Sequence, residues 1–294
     1  MSDLIYDQPL YRPPSEANSL IIQATLGCSF NRCTFCSMYK TKEFGSRPLA
    51  DVFADIELAA KTRPHAHRVF LADGDALVLP ADHLARILDK LAETFPDLAR
   101  VSLYALPANL LKKTTDELRA LRRRKLSLLY YGIESGSPDI LKRIRKGASP
   151  QAMIEGLTKA KEAGVKTSCT VILGLGGKHR WREHIDRTAD LLNAVAPKYV
   201  STLQLMLDRT TVTDFLERFG EPFEFQDDEG ILKEQERLVS RLNPASPIIF
   251  RSNHASNALP LAGTLPKGRA KLLSAIHAAQ DGDLALRPTW ARSL

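Results

Sequence analysis

At 294 residues, with 44% hydrophobic and 26% charged side chains, the chain has the make-up of an ordinary globular protein that can bury a large core without disulfides or a structural metal. No run approaches the roughly 18 to 20 apolar residues of a membrane span, and the opening MSDLIYDQPLYRPPSE lacks both the basic start and the apolar stretch of a secretory signal, so the chain is read as cytoplasmic. The net charge of +7 suits an anionic partner such as RNA, a nucleotide or a phosphorylated metabolite, although the densest basic run, Arg122-Arg123-Arg124-Lys125, ends a predicted helix where cations also meet the negative end of the dipole.

After a Pro-containing arm over 1–18, apolar β-type runs alternate with segments whose apolar residues recur at helical spacing. Strands are predicted at Leu20–Ala24, Arg68–Ala72, Val101–Tyr104, Ser127–Tyr131, Thr167–Leu173 and Tyr199–Leu205. Between them helices are predicted at Val52–Lys61, Asp82–Thr94, Thr115–Arg124, Gln151–Ala163 and Trp181–Val195. Several strands are apolar throughout, as in a parallel sheet covered on both faces. Right-handed crossovers would curl six such units into an α/β fold, a partial (β/α)6 barrel over 19–210. Residues 211–294 break the alternation and read as an α-rich extension packed on it, with helices at Thr213–Phe219, Leu232–Leu242 and Arg269–Ala279 and a short strand at Ile248–Phe250.

The chemistry is concentrated directly after the first strand, in Gly27-Cys28-Ser29-Phe30-Asn31-Arg32-Cys33-Thr34-Phe35-Cys36. Three of the four cysteines fall here, spaced CxxxxCxxC, which points to metal ligation in a reducing compartment rather than to disulfides. Three thiolates can ligate three irons of a cubane and leave the fourth iron open. Gly27 and Asn31 are turn formers that let the loop wrap such a group. The competing reading is a structural zinc site, which needs a fourth ligand such as His65, His67, His184 or His254. Cys169, inside a predicted buried strand, reads as core.

On this loop and the βα repeat, the chain resembles the radical S-adenosylmethionine superfamily, near the branch of Elongator protein 3, the methylthiotransferases and NifB, over about residues 19–210. The loop departs from the usual pattern in placing four residues, not three, between the first two cysteines. The resemblance implies a [4Fe–4S] cluster on Cys28, Cys33 and Cys36, an open iron that binds S-adenosylmethionine, and sensitivity to oxygen. It implies that Gly74 and Asp75, in Asp73-Gly74-Asp75, hold the methionine amino group, with Asp75 in place of a glutamate; a DGD triplet is otherwise an ordinary turn. In Gly132-Ile133-Glu134-Ser135-Gly136-Ser137, Glu134 would accept from the ribose hydroxyls and Ser135 would support the nucleoside, while the same serines could simply cap a helix. Arg145, in the basic cluster that follows, would approach the cofactor carboxylate. Gly174 in the Gly174-Leu175-Gly176-Gly177 turn and Phe35 would lie near adenine, though Phe35 could equally fill core.

Reductive cleavage of S-adenosylmethionine to a 5′-deoxyadenosyl radical, followed by hydrogen abstraction from a small-molecule substrate, is the activity this resemblance implies. The electron donor would be ferredoxin or flavodoxin, since the chain shows no second cysteine cluster and no flavin motif. Candidate substrate contacts at strand ends are Tyr104, Asn109, His184, Gln204 and Met206; Asn253, His254 and Asn257 in the polar run after Phe250 join them, although that run could serve only as local turns. Two other readings remain open at this point: a radical enzyme that modifies RNA, and a noncatalytic iron–sulfur or zinc protein.

Overall fold

Runs such as Leu20–Gln23 and Arg68–Ala72 present apolar side chains to both sides, which a strand can do only where both faces are covered. In the structure, a computed structural model that describes residues 4–293, these runs are strands buried almost throughout. The six expected strands are β1 (Leu20–Gln23), β4 (Arg68–Ala72), β5 (Arg100–Ala105), β6 (Leu126–Glu134), β7 (Lys166–Leu173) and β8 (Tyr199–Gln204). Two short strands, β2 (Thr25–Leu26) and β3 (Gly45–Ser46), pair antiparallel and pin the two ends of the cysteine loop.

The chain divides into two compact units that interleave in sequence. The first takes residues up to Asn31, Met38–Tyr131 and Glu155–Thr167; the second takes Arg32–Ser37, Gly132–Ile154 and everything from Ser168. In the first unit β1, β4, β5 and β6 follow one another as parallel neighbours, with Leu20 opposite Val69, Val69 opposite Val101 and Leu103 opposite Leu129. Helix α1 (Leu49–Thr62) buries Val52, Ile56 and Ala59, one helical stripe, and α2 (Ala81–Thr94) buries Leu84, Ile87, Leu88 and Leu91. Each such leucine or isoleucine contributes on the order of 1.5–3 kcal/mol by leaving water. A short helix that periodicity does not reveal, α3 (Pro107–Lys112), starts on the proline that pre-sets its first turn. Helix α4 (Thr115–Arg123) opens on a capping box, in which Thr114 Oγ1 accepts from Glu117 N–H at 3.1 Å and Glu117 accepts from Thr114 N–H at 2.7 Å. The basic run at its end stays at the surface, where three of its four side chains have partners in the fold. Arg122 donates to Gly164 O, Arg124 pairs with Asp89, and Lys125 donates to Leu98 O.

In the second unit β7 and β8 are parallel, Cys169 opposite Val200, and Cys169 is fully buried core as expected. The segments between carry α5 (Pro138–Arg143), another short helix opened by proline, α6 (Pro150–Glu162), which crosses the unit boundary in sequence, and α7 (Gly177–Val195). The C-terminal residues hold helices α8 (Val212–Phe219), α9 (Asp228–Arg241) and α10 (Arg269–Gln280), but they are not simply an α-rich appendage. Strand β9 (Ile248–Arg251) pairs parallel with β8, and β10 (Ala262–Leu265) pairs antiparallel with β9, so the extension continues the sheet. Helix α9 packs on α7 and α10 on α9. Phe215, Phe219 and Phe223 form a ring cluster with centroids 4.7–5.6 Å apart. Among the described residues no helix is long and apolar enough to cross a membrane.

Candidate functional site

In the first unit the start of the cysteine loop is held by two buried aspartates at the end of β4. Gly27 takes a left-handed φ of +64°, where a Cβ would meet Glu43 O at 3.1 Å. Its N–H donates to Asp73 Oδ2 at 3.0 Å, and its carbonyl accepts from Gly74 N–H at 3.0 Å. Asp73, fully buried, also accepts from Lys42 Nζ at 2.7 Å and from Gln23, so its charge is compensated. Gly74 is glycine for a steric reason: a Cβ would lie 2.7 Å from the Tyr39 ring and 3.1 Å from Cys28 Cβ.

Asp75 is equally buried but has only neutral donors. Its carboxylate accepts from the Ser29 hydroxyl, the Asn109 side-chain amide and, at 3.3 Å, Leu106 N–H. Burial pushes its carboxyl up to about 7, against the lowering effect of the bonds from Ser29, Leu106 and Asn109. These three donors occupy three of the about four acceptor positions of a carboxylate. Asn109, expected at the substrate, is instead a support of Asp75. Tyr104, half-buried on β5, packs edge-on against Phe70 with centroids 5.2 Å apart.

In the second unit the rest of the loop is tied down by Thr34 N–H, which donates to Ile144 O at 3.1 Å, and by a bond between Ser37 and Asp208. Two residues beyond Ile144, Lys146 is buried, and its Nζ lies 2.7 Å from Glu134 Oε1. Burial alone would lower its pKa, but the negative charges of Glu134, Cys33 and Cys36 outweigh that and hold it raised. Glu134 reaches this position from the end of β6 with a left-handed φ of +64°, folding its carboxylate back over Gly132, where any Cβ would fall 1.9 Å from Glu134 Oε1.

The structure revises several expectations about individual residues. Arg145 is exposed, and the inward cation is its neighbour Lys146. His184 is fully buried with both ring nitrogens used: Nε2 bonds to Ile172 O at 2.9 Å and must donate, so Nδ1 accepts from the Ser135 hydroxyl at 2.8 Å. Burial brings the His184 pKa down to about 4, so it stays neutral and clamps Ser135 instead of facing a substrate. Ser135, also fully buried, thus supports the turn after Glu134 with a hydroxyl already committed. Asn257 is fully buried and donates to Thr202 O at 2.6 Å and Ser252 Oγ at 3.1 Å. His254 Nδ1 accepts from Ser256 N–H at 3.1 Å, and Arg287 gathers the carbonyls of His254, Ala255 and Asn257 at 2.8–3.0 Å. This run is therefore a braced turn, with Asn253 exposed on it. Gln204 ends β8 with its N–H on Ser256 Oγ at 3.3 Å, and its Oε1 has no partner among the described residues. Phe35 is half-buried.

Sequence reasoning also passed over Glu234. It is fully buried on α9, accepts from Gly174 N–H at 2.7 Å and from Gln226 at 3.1 Å, and fixes the glycine turn, where Gly174 has φ +80°. Burial raises its pKa to about 8. The signal was present: Glu234 and Gln235 occupy helical phases otherwise taken by Ile231, Leu238 and Val239.

The three loop cysteines form no disulfide among the described residues and are of intermediate exposure, and a buried cation stands beside two of them, a setting that favours an anionic group bound there. Among the described residues no three Cys, His, Asp or Glu side chains gather as they would around one ion; a cubane makes no such demand, because each thiolate takes a different iron. His65 and His67 both turn to Asp97, and His184 and His254 are engaged as described. The family model described as the radical SAM superfamily matches residues 22–192.

The chain belongs to the radical SAM superfamily.

This radical SAM chain is 28% identical over 184 residues to a methylthiotransferase-like protein of Methanocaldococcus jannaschii, covering 58% of the chain and 40% of that protein. It is 26% identical over 226 residues to the heme chaperone HemW of Mycobacterium tuberculosis, covering 73% of the chain and 56% of HemW. The chain thus spans roughly half the length of these curated relatives. Among solved structures, coproporphyrinogen III oxidase HemN of Escherichia coli superposes with a TM-score of 0.55 at 18% identity, over 76% of this chain and 52% of HemN. The methyltransferase TsrM of Kitasatospora setae, with cobalamin and a [4Fe–4S] cluster bound, gives 0.56 at 14% identity, over 90% and 61%. At these identities the structural likeness establishes the α/β fold of parallel strands and helices.

Proposed function

We propose that this chain holds one [4Fe–4S] cluster on Cys28, Cys33 and Cys36 and cleaves S-adenosylmethionine reductively, delivering hydrogen abstraction to a small-molecule substrate. The observation that carries this reading is the CxxxxCxxC loop, pinned at both ends by β2 and β3, with the buried Lys146 beside Cys33 and Cys36. When bound, the cluster supplies the electron that breaks the carbon–sulfur bond and so generates the 5′-deoxyadenosyl radical. The protein's share is binding, orientation and exclusion of water.

Asp75 has one acceptor position left for the methionine ammonium, with the Gly74 backbone beside Cys28. Glu134 offers its outer oxygen to the ribose hydroxyls while Lys146 holds the inner one. Ser135 keeps the turn in place through His184, and Gly174 and Phe35 form a flat, uncharged approach for adenine. Lys146, not Arg145, supplies positive charge to the Cys33–Cys36 edge. Ferredoxin or flavodoxin is the electron source this reading requires.

Anaerobic reconstitution with iron and sulfide, followed by assay for 5′-deoxyadenosine with dithionite, tests the proposal. The wild-type protein should bind about four irons per chain and form the product, and alanine at all three loop cysteines should abolish both. Zinc as the sole bound metal, or product formation undiminished in the triple variant, would overturn it.

A further inference from the structure

The Pro-containing arm is fastened to the first unit along two lines, and both end at the turn that carries the first cysteine. One line runs through Lys42. Its side chain is 6% exposed, and its ammonium stands among four oxygens: Asp7 Oδ1 at 2.7 Å, Asp7 O at 3.0 Å, Pro9 O at 3.2 Å and Asp73 Oδ2 at 2.7 Å. An ammonium has three donors, so this one is fully used within the fold. Asp73 Oδ2 in turn accepts from Gly27 N–H at 3.0 Å, and Gly27 O accepts from Gly74 N–H at 3.0 Å. Gln23 closes the same circuit. Its side chain exchanges two bonds with the Asp7 backbone, at 2.9 and 3.0 Å, and its amide reaches Asp73 at 3.3 Å.

The other line is made of rings. Tyr11 meets Tyr39 edge-on with centroids 5.4 Å apart. Tyr39 is buried against the Gly74 backbone, where a Cβ would fall 2.7 Å from its ring and 3.1 Å from Cys28 Cβ. Lys42 Nζ stands 5.9 Å from the centre of the same ring, and Lys42 N–H donates to Tyr39 O at 3.1 Å, so one turn joins the two lines.

A buried lysine–aspartate pair set in inert core only stabilises a fold. Here the carboxylate oxygen that takes the ammonium also orients the peptide entering Cys28. Gly27 has a left-handed φ and no side chain, so the direction of that peptide depends on Asp73 Oδ2 and on Gly74 N–H. Removing the ammonium leaves a fully buried carboxylate short of positive charge. It must then take up a proton or draw water in, and either change moves the acceptor on which Gly27 rests. Ligands of a reactive centre have to be held to within about 0.5 Å by such supports, and the hydrogen bonds and water around a cluster tune its electronic properties.

We propose that Lys42 is a positioning residue of the cofactor site: it ties the N-terminal arm to Asp73 and thereby fixes the Gly27–Cys28 and Gly74 backbone against which S-adenosylmethionine docks. This rests on the radical-enzyme reading above and gives a part in it to a segment that lies outside every motif of the sequence.

The test uses the full chain, reconstituted anaerobically, and reads iron content, the electron paramagnetic resonance spectrum of the dithionite-reduced cluster and S-adenosylmethionine affinity. Lys42→Met should keep its iron, because all three thiolates remain, yet displace the g-values of the reduced cluster and weaken S-adenosylmethionine by about tenfold or more. Lys42→Arg, which keeps the charge, should restore most of both. Asp7→Asn and Tyr11→Ala, at partly exposed positions of the arm, should each give a smaller change of the same kind. A purely structural pair would lower the melting temperature of Lys42→Met and leave its spectrum and affinity as in the wild type, which would overturn the proposal. Where Lys42→Met does not fold, the arm variants decide, and a wild-type spectrum and affinity in both would overturn it equally. A wild type that assembles no cluster, or binds no S-adenosylmethionine, strikes the functional reading itself and this proposal with it.

Discussion

The two units of the molecule each place a buried carboxylate at the carboxyl end of a strand, and they compensate it in opposite ways. Asp75, after β4, is surrounded by neutral donors from Ser29, Asn109 and Leu106, and burial pushes it up to about 7. Glu134, at the end of β6, has a full positive charge at 2.7 Å in the buried Lys146. A buried carboxylate hydrogen-bonded only by neutral donors can gain or lose its proton near neutrality, whereas a cation at hydrogen-bond distance compensates the charge directly. The first arrangement suits recognition of an incoming ammonium. The second suits a fixed acceptor whose counter-charge also faces Cys33 and Cys36.

The largest effect should come from breaking the Lys146–Glu134 ion pair. Lys146→Met leaves Glu134 buried without its cation and should cost about 3–5 kcal/mol in urea unfolding of the apo protein. Glu134→Gln on the same background should recover a large part of that, and a double-mutant cycle with no coupling between the positions would remove the distinction between the two carboxylates.

Next comes the pH response of Asp75. Because an ionised carboxylate attracts the methionine ammonium better than a protonated one, affinity for S-adenosylmethionine should fall by up to about tenfold per unit as pH drops below about 7, and Asp75→Asn should flatten the curve. Calorimetric titration of the reconstituted protein between pH 6 and 8, at about unit spacing, checks this. A flat wild-type profile would mean that Asp75 does not change its charge over this range.

The smallest effect concerns Glu234, a second carboxylate held by neutral donors. Its folded pKa of about 8 lies above the ordinary value of 4.5, so the folded state binds the extra proton between those values and its contribution to stability declines as pH rises through them. Glu234→Gln, which keeps an acceptor for Gly174 N–H, should change stability near pH 5 by under about 1 kcal/mol and flatten the decline that the wild type shows between about pH 5 and 8. Thermal unfolding of both proteins across the same pH range decides it.

Much of this was legible in the chain itself. The βα order came from apolar runs alternating with helical stripes, because burial on two faces and burial on one stripe leave different periodicities. The cysteine loop was legible because metal ligation demands a particular residue type at short spacing, and Gly27 and Gly74 stood where backbone must approach closely. What sequence obscured was direction. Arg145 and Lys146 are adjacent and equally basic, and the left-handed φ of +54° at Arg145 sends one to solvent and the other inward. His184 and Asn257 looked like substrate contacts because polar residues beside glycine turns and loops often are, yet both are consumed by carbonyls and hydroxyls from other elements. The linear order of residue types determined the elements, the cysteine loop and the family, since those depend on local spacing and side-chain chemistry. Only the tertiary structure decided which polar side chains were paired and which were buried, because each of those is a relation between residues far apart in the chain.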